Sequence, residues 1–252
     1  MSNELTTVAD SFQALATNSR AARALAANFG TGETMSFADL TKVGVPSGGI
    51  TQWQIEDITG SQSVSALTGI CCYYAPYGVL WPTDEPSEDG KPLLVTHDLV
   101  RAYKVGDNYG DTDQEAIEAC RNSDGSYDWQ ALPYNQYGTA KGGHGKRCKE
   151  LRLMALLRPE DTMPLLVRIS PGSLRPVTQF FKKLPVPFYE AIIELTLKKE
   201  KSKGGITYAQ VQPRLAGVLT EEQGEMIARL YTRTLAEAAS AREFVAESDD
   251  LE

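Results

Sequence analysis

The chain has 252 residues, 42% hydrophobic and 23% charged, which is the composition of a globular protein and excludes a collagen-like or wholly disordered one. No apolar run approaches the roughly 20 residues that span a bilayer, so no helical membrane protein is expected. The formal charge of −8 excludes a uniformly basic binder, yet residues 141–203 hold 14 Lys and Arg against 6 Asp and Glu, inside an otherwise acidic chain.

Residues 6–28 place Phe12, Leu15, Ala16, Ser19 and Ala22 or Arg23 on neighbouring turns, and Asn28-Phe29-Gly30 supplies a stop. The spacing predicts an N-terminal helix within residues 1–30. Met1-Ser2-Asn3-Glu4-Leu5 carries an acid where a secretory signal carries bases, so a cytoplasmic location is expected, in the host cell if the protein is phage-encoded. Four cysteines at irregular spacing fit a reducing compartment better than a disulfide framework.

From Ser36 to Leu80 short β-prone runs alternate with turn signals, among them Pro46-Ser47-Gly48-Gly49 and Thr59-Gly60-Ser61. Pro92–Val105 reads as a strand pair. Residues 106–148, dense in Gly, Asp, Asn and Tyr, lack apolar periodicity and read as a long insertion loop, which in a compact domain is usually functional. Glu150–Leu157 reads as a short helix stopped by Arg158-Pro159-Glu160-Asp161, and Leu165–Ile169 as a strand. Pro171-Gly172-Ser173 opens a helix running to Leu184. Phe188–Lys199 alternates strictly, Lys198–Gly205 forms a basic hairpin tip, and Ile206–Leu219 returns as its partner. Thr220-Glu221-Glu222 caps a C-terminal helix, followed by a short acidic tail, so that residues 220–252 form helix plus tail.

The densest constellation is the run from Pro133 to Lys149. It joins flexible backbone to Tyr134, Tyr137, Lys141, Lys146, Arg147 and Lys149, the means by which a loop tracks phosphates while bases stack on rings. The alternative is a glycine-rich surface loop whose tyrosines cover the core. A triphosphate-binding loop is excluded, because Ala140 stands where its first glycine is needed and Arg147 where Ser or Thr is needed. Cys120, Cys148 and His144 provide three soft ligands where structural zinc takes four, so no cofactor is expected, the alternative being a zinc site completed by Cys71 or Cys72.

The run from Cys120 through Pro133-Tyr134-Asn135-Gln136-Tyr137-Gly138 to Gly145-Lys146-Arg147-Cys148-Lys149, with Leu165–Ile169 and the Tyr189–Leu219 hairpin, resembles bacteriophage single-stranded-DNA-binding proteins. The resemblance covers 100 to 120 residues and none of the first 60. It implies an OB-like β-barrel and a four-cysteine cluster whose inner pair is here Trp129 and Leu132, so apolar packing is expected where a metal would sit. The implied architecture is α+β, with an OB-like nucleic-acid-binding core over residues 31–219 and the 106–148 insertion within it.

The function this implies is non-enzymatic, sequence-tolerant binding of single-stranded DNA in phage or bacterial replication or recombination. Lys141, Lys146, Arg147, Lys149, Arg152, Lys182 and Lys183 would meet phosphates, and Lys198, Lys199, Lys201 and Lys203 would extend the track. Trp129, Tyr134, Tyr137, Phe180 or Phe181 would offer stacking faces. A Lys146→Glu, Arg147→Glu double variant is then expected to fold and to lose binding. The acidic tail would recruit replication or recombination proteins. Two other readings stay open: an inhibitor of a host enzyme that mimics nucleic acid with its acidic half, and a magnesium-dependent nuclease using Asp107, Asp111 and Asp113.

Overall fold

The computed structural model describes residues 34–57, 60–83, 91–143, 145–159, 161–202 and 204–240, with positions 23, 24 and 27. Arg23, Ala24 and Ala27 are helical; the rest of the expected N-terminal helix and the acidic tail lie outside the described residues. In chain order the strands are β1 (Lys42–Gly44), β2 (Trp53–Asp57), β3 (Gly60–Val64), β4 (Ala66–Leu80), β5 (Leu94–Thr96), β6 (Arg101–Lys104), β7 (Tyr127–Asp128), β8 (Lys149–Leu157), β9 (Leu165–Ile169), β10 (Ala191–Lys201) and β11 (Thr207–Val218). The helices are α1 (Gln114–Glu118), α2 (Leu174–Phe181), α3 (Glu221–Ile227) and α4 (Arg233–Ser240).

The chain divides into two compact units. Of the described residues, the first takes those up to Tyr74 together with Leu153–Ala238; the second takes Ala75–Arg152 with Ala239 and Ser240. In the first unit the strand order is β1-β9-β8-β4, with β10 added to β4 and β11 to β10. β1 runs parallel to β9, whereas β10 is antiparallel to both β4 and β11, so the sheet is mixed. Among the described residues no pairing joins β1 to β11, and the sheet stays open. The protein is therefore α+β with a large mixed sheet and few helices, without a closed barrel.

β8 corrects the helix expected over Glu150–Leu157. Lys149–Leu157 is rich in Leu, Met and Ala, good helix formers, but the strand lies between β9 and β4, and every residue from Leu153 to Leu157 is buried. A strand covered on both faces reads as one apolar run, and burial overrides local propensity. β10 and β11 match the expected hairpin, with Leu195 and Leu197 facing the core and Glu194, Thr196 and Lys198 on the other face.

α2 blunts the open edge of β11. The Ser173 hydroxyl accepts a hydrogen bond from the Val211 backbone N–H at 2.9 Å, and Gln210 Nε2 donates to the Gly172 carbonyl at 3.0 Å. At the C-terminal end Thr220 and Gln223 form a capping box before α3. A π-helical turn, Ala228–Thr232, then joins α3 to α4. In that turn the Tyr231 hydroxyl donates to Thr162 O at 3.0 Å and Thr232 Oγ1 to Cys72 O at 2.6 Å, which ties the helix to the unit's core.

The second unit corrects the expected structureless insertion. The end of β4 pairs with β5, β5 with β6, and β6 with β7. Leu80, Leu93, Leu94, Ala102, Ile117, Tyr127, Trp129, Leu132 and Cys148 form its core. Five of these nine come from residues 106–148, each from a different short element or turn. Core residues delivered singly leave no periodicity of 2 or 3.6 to read. Short local devices hold the unit: Asp113 caps α1 by accepting from the Ala116 N–H at 3.1 Å, and Asp128 accepts from the Gln130 N–H at 3.0 Å.

Candidate nucleic-acid interface

Much of the cationic constellation in the second unit is committed to its fold. Arg147 is only 7% exposed. Its Nη2 donates to Asp111 Oδ1 at 2.5 Å and to Pro82 O at 2.7 Å, and the guanidinium lies over the Tyr134 ring at 4.8 Å. The Tyr134 hydroxyl in turn accepts from the Asp113 N–H at 2.7 Å. Lys146 Nζ donates to Asn135 Oδ1 at 3.0 Å and pairs with Glu150 at 3.4 Å, while Asn135 Nδ2 donates to Trp129 O at 3.1 Å. Tyr134 and Arg147 are thus corrected from ligand contacts to clamps on loop backbone and side chains, and Lys146 is partly buried in the same manner. A Lys146→Glu, Arg147→Glu variant tests folding before it tests binding.

Trp129 is likewise corrected. Its side chain is fully buried with Leu132, in the cluster that includes Cys148 and against which Cys120 packs, so neither indole face is open to a base. Burial raises the Cys148 thiol to about 12, a thiol held protonated.

Tyr137 remains in solvent, 84% exposed, at the start of a glycine-rich segment that also carries exposed Lys141. The segment is held at its base: the Gly138 N–H donates to Gly145 O at 2.8 Å, and Thr139 Oγ1 accepts from the Arg147 N–H at 3.1 Å. Gly138, Gly142, Gly143 and Gly145 all have positive φ, and a Cβ at any of them would meet nothing within 4 Å, so the loop surface is open. Lys149 and Arg152, half-buried, donate to the carbonyls of Lys146 and Leu151 at 3.1 and 3.2 Å. His144 lies outside the described residues.

The remaining candidates belong to the first unit, in two groups. Phe180 and Phe181 are partly buried and pack against the core; Phe181 stacks on Tyr74 with centroids 3.7 Å apart and planes at 5°, so one of its faces is already taken. Lys182 and Lys183 follow, exposed. Lys198, Lys199 and Lys201 are exposed at the far end of β10, and Lys203 lies outside the described residues. Because Ile192 pairs with Ile70 and Thr196 with Ala66, Tyr74 sits beyond the start of β10, opposite the hairpin tip. The helix that carries Lys182 and Lys183 begins beside Val211 and Gln210, the partners of Leu197 and Lys198, so at about 1.5 Å per residue Lys182 lies only ~13 Å along the helix from that end of the hairpin.

The acidic trio also has local roles. Asp107 pairs with Lys104 at 3.1 Å, Asp111 with Arg147, and Asp113 caps α1. No group of three or more metal-ligating side chains occurs among the described residues.

Two arrangements were not visible in the sequence. In the second unit the Glu118 carboxylate accepts from the hydroxyls of Tyr109 at 2.5 Å and Tyr127 at 2.8 Å. These bonds, Tyr109's first, hold Glu118 below the usual carboxylate range, while burial and then the Glu118 bond push Tyr127 up to about 12. A depressed acid contributes stability that is present above its unfolded pKa and lost as pH falls. A raised phenol contributes stability that is present below pH ~10 and lost as pH climbs toward 12. Melting temperature is therefore expected to fall on both limbs, and Glu118→Gln, scanned from pH 3 to 11, is expected to flatten both.

In the first unit a cleft of about 570 Å³ is lined by Asp39, Asp57, Arg158 and Asp161 among others. Arg158 already pairs with Asp57 at 3.1 Å and Asp161 at 2.5 Å, and Asp39 accepts from the Ser36 N–H at 2.8 Å, so among the described residues the cleft offers no spare cation to an anion. Asp57 and Arg158 stand 101 residues apart, a pairing no local motif signals.

No helix among the described residues is long and apolar enough to cross a membrane. Comparison with known proteins finds no matching family model, no matching curated protein and no matching solved structure.

Proposed function

We propose that the protein binds single-stranded DNA without strong sequence preference and without catalysing a reaction. The observation that carries this reading is Tyr137, a ring 84% exposed on an open glycine-rich loop that also presents Lys141. Such a ring stacks on any base, because every base has a π face, while lysines meet the phosphates between them. The phosphate contacts belong to the exposed lysines, Lys141 in the second unit and Lys182, Lys183, Lys198, Lys199 and Lys201 in the first. An OB-like ancestry for the open sheet, a role in phage or bacterial replication or recombination, a cytoplasmic site of action and recruitment of partner proteins through the acidic tail belong to the same proposal.

Fluorescence anisotropy with labelled single- and double-stranded oligonucleotides, repeated across salt, tests it. The single strand is expected to bind more tightly, and log affinity to fall linearly with log salt as counterions return to the polymer. Tyr137→Ala, which removes an exposed ring and leaves the core intact, is expected to weaken binding by about 1–3 kcal/mol. Absence of binding at low salt, or an unchanged affinity in Tyr137→Ala, overturns the reading.

A further inference from the structure

The outward face of α2 carries a row of polar and cationic side chains that the fold does not call for. At about 100° per residue Arg175, Gln179 and Lys182 fall within about 60° of one another, on the side of the helix opposite Val177. Val177 is fully buried, whereas all three are exposed, and the row from Arg175 to Lys182 is about 10 Å long. Lys182 keeps helical geometry, with φ −64° and ψ −18°, and its N–H donates to Thr178 O at 3.1 Å, so the row holds to its end. Lys183 follows, also exposed.

No carboxylate answers this charge. The chain has no Asp or Glu between Asp161 and Glu190, the longest such run in the sequence. Arg175, Lys182 and Lys183 make no ion pair among the described residues. Lysines at a helix C-terminus complement its dipole, so Lys182 and Lys183 have a use within the fold. Arg175 has none: it is the second residue of α2, where the positive end of the dipole disfavours a cation, and the first turn holds no acid to offset it. The Ser173 hydroxyl beside it accepts from β11 and does not cap the helix. A cation placed where the helix loses by it, in line with two others, has its use outside the fold.

We infer that the outward face of α2 is a rail for the phosphates of a nucleic-acid strand, begun by Arg175, continued by the Gln179 amide and ended by Lys182 and Lys183. A guanidinium grips phosphate oxygens with two donors at once, and an amide donates to them without reading base sequence. A lipid surface is the poorer fit, because the apolar side of α2, with Leu174, Val177, Phe180 and Phe181, is packed on the unit's core and is not available to enter a bilayer. The inference rests on the proposed function and adds Arg175 and Gln179 to it.

Fluorescence anisotropy of the full chain with a labelled single strand, together with thermal melting of each variant, reads the rail. Arg175→Gln is expected to weaken binding roughly tenfold at about 50 mM salt and to flatten the log–log salt slope by about 0.7, the share of one phosphate contact. Arg175→Glu is expected to weaken it further, yet to melt at or above the parent's temperature, because an acid suits the first turn of a helix. Gln179→Ala is expected to weaken binding roughly fivefold with the slope unchanged. If Arg175→Glu keeps the parent's affinity and slope, the rail is refuted while the binding function stands. If Arg175→Glu melts well below the parent, the residue serves the fold and the rail is refuted. If the unaltered chain binds no oligonucleotide at low salt, both readings fall. If Arg175→Glu loses binding only to phosphatidylserine vesicles, the face serves a lipid surface and the rail is refuted.

Discussion

Arg147→Glu is expected to unfold the second unit. The guanidinium is nearly enclosed and bridges the carbonyl of Pro82, the carboxylate of Asp111 and the face of Tyr134. Glutamate there places a second carboxylate beside Asp111 and removes the guanidinium's bonds to the carbonyls of Trp81 and Pro82, the latter keeping the Asp111 N–H as a donor. Breaking a buried charge pair costs about 3–5 kcal/mol. Asp111 is 64% exposed and regains water, so the loss belongs near the lower end, about 3 kcal/mol, for Arg147→Ala and higher for the charge reversal. Urea denaturation followed by tryptophan fluorescence measures it, with Trp81 and Trp129 as the buried reporters inside this unit. Lys182→Glu with Lys183→Glu is the matched control: both side chains are exposed, so stability is expected to stay within about 0.5 kcal/mol while oligonucleotide binding falls. Equal stability of Arg147→Glu and the parent protein would return that residue to the list of phosphate ligands.

Trp129→Ala is expected to be as damaging, by about 3–5 kcal/mol. The indole is completely buried in the unit's hydrophobic cluster, so its removal leaves a ring-sized space among packed side chains. Gly78 shows how closely the ring is seated, since a Cβ there would come within 2.7 Å of Trp129 Cζ2 and of Thr96 Cγ2. The indole Nε1–H has no hydrogen-bond partner among the described residues. Trp129→Phe removes that unsatisfied donor and is expected to recover a large part of the loss. Thermal denaturation of the two variants checks the order; a Trp129→Ala protein that melts with the parent but binds DNA poorly would restore the stacking role.

Sequence reasoning located the elements that state their structure locally. The β10–β11 hairpin declared itself by strict alternation of apolar and polar residues around a glycine-bearing tip, and α3 by Thr220 and the acids after it. Both signals reside in one short window. β8 failed because its helix-forming residues are buried on both faces by strands distant in sequence. The 106–148 segment failed because its core residues arrive one at a time.

For the candidate site, residue chemistry identified the cations and rings but not their accessibility. Arg147 and Lys201 are both basic residues in a basic segment; one is clamped inside the second unit and the other stands in solvent at the end of an arm. Tyr137 and Trp129, eight residues apart, divide the same way. What the amino-acid sequence determined by itself was the α+β class, the hairpin and the concentration of positive charge in residues 141–203. Only the tertiary structure decided which of those charges face water, because a side chain's exposure depends on partners such as Asp111 and Pro82, brought to Arg147 by chain reversals that leave no trace in local pattern.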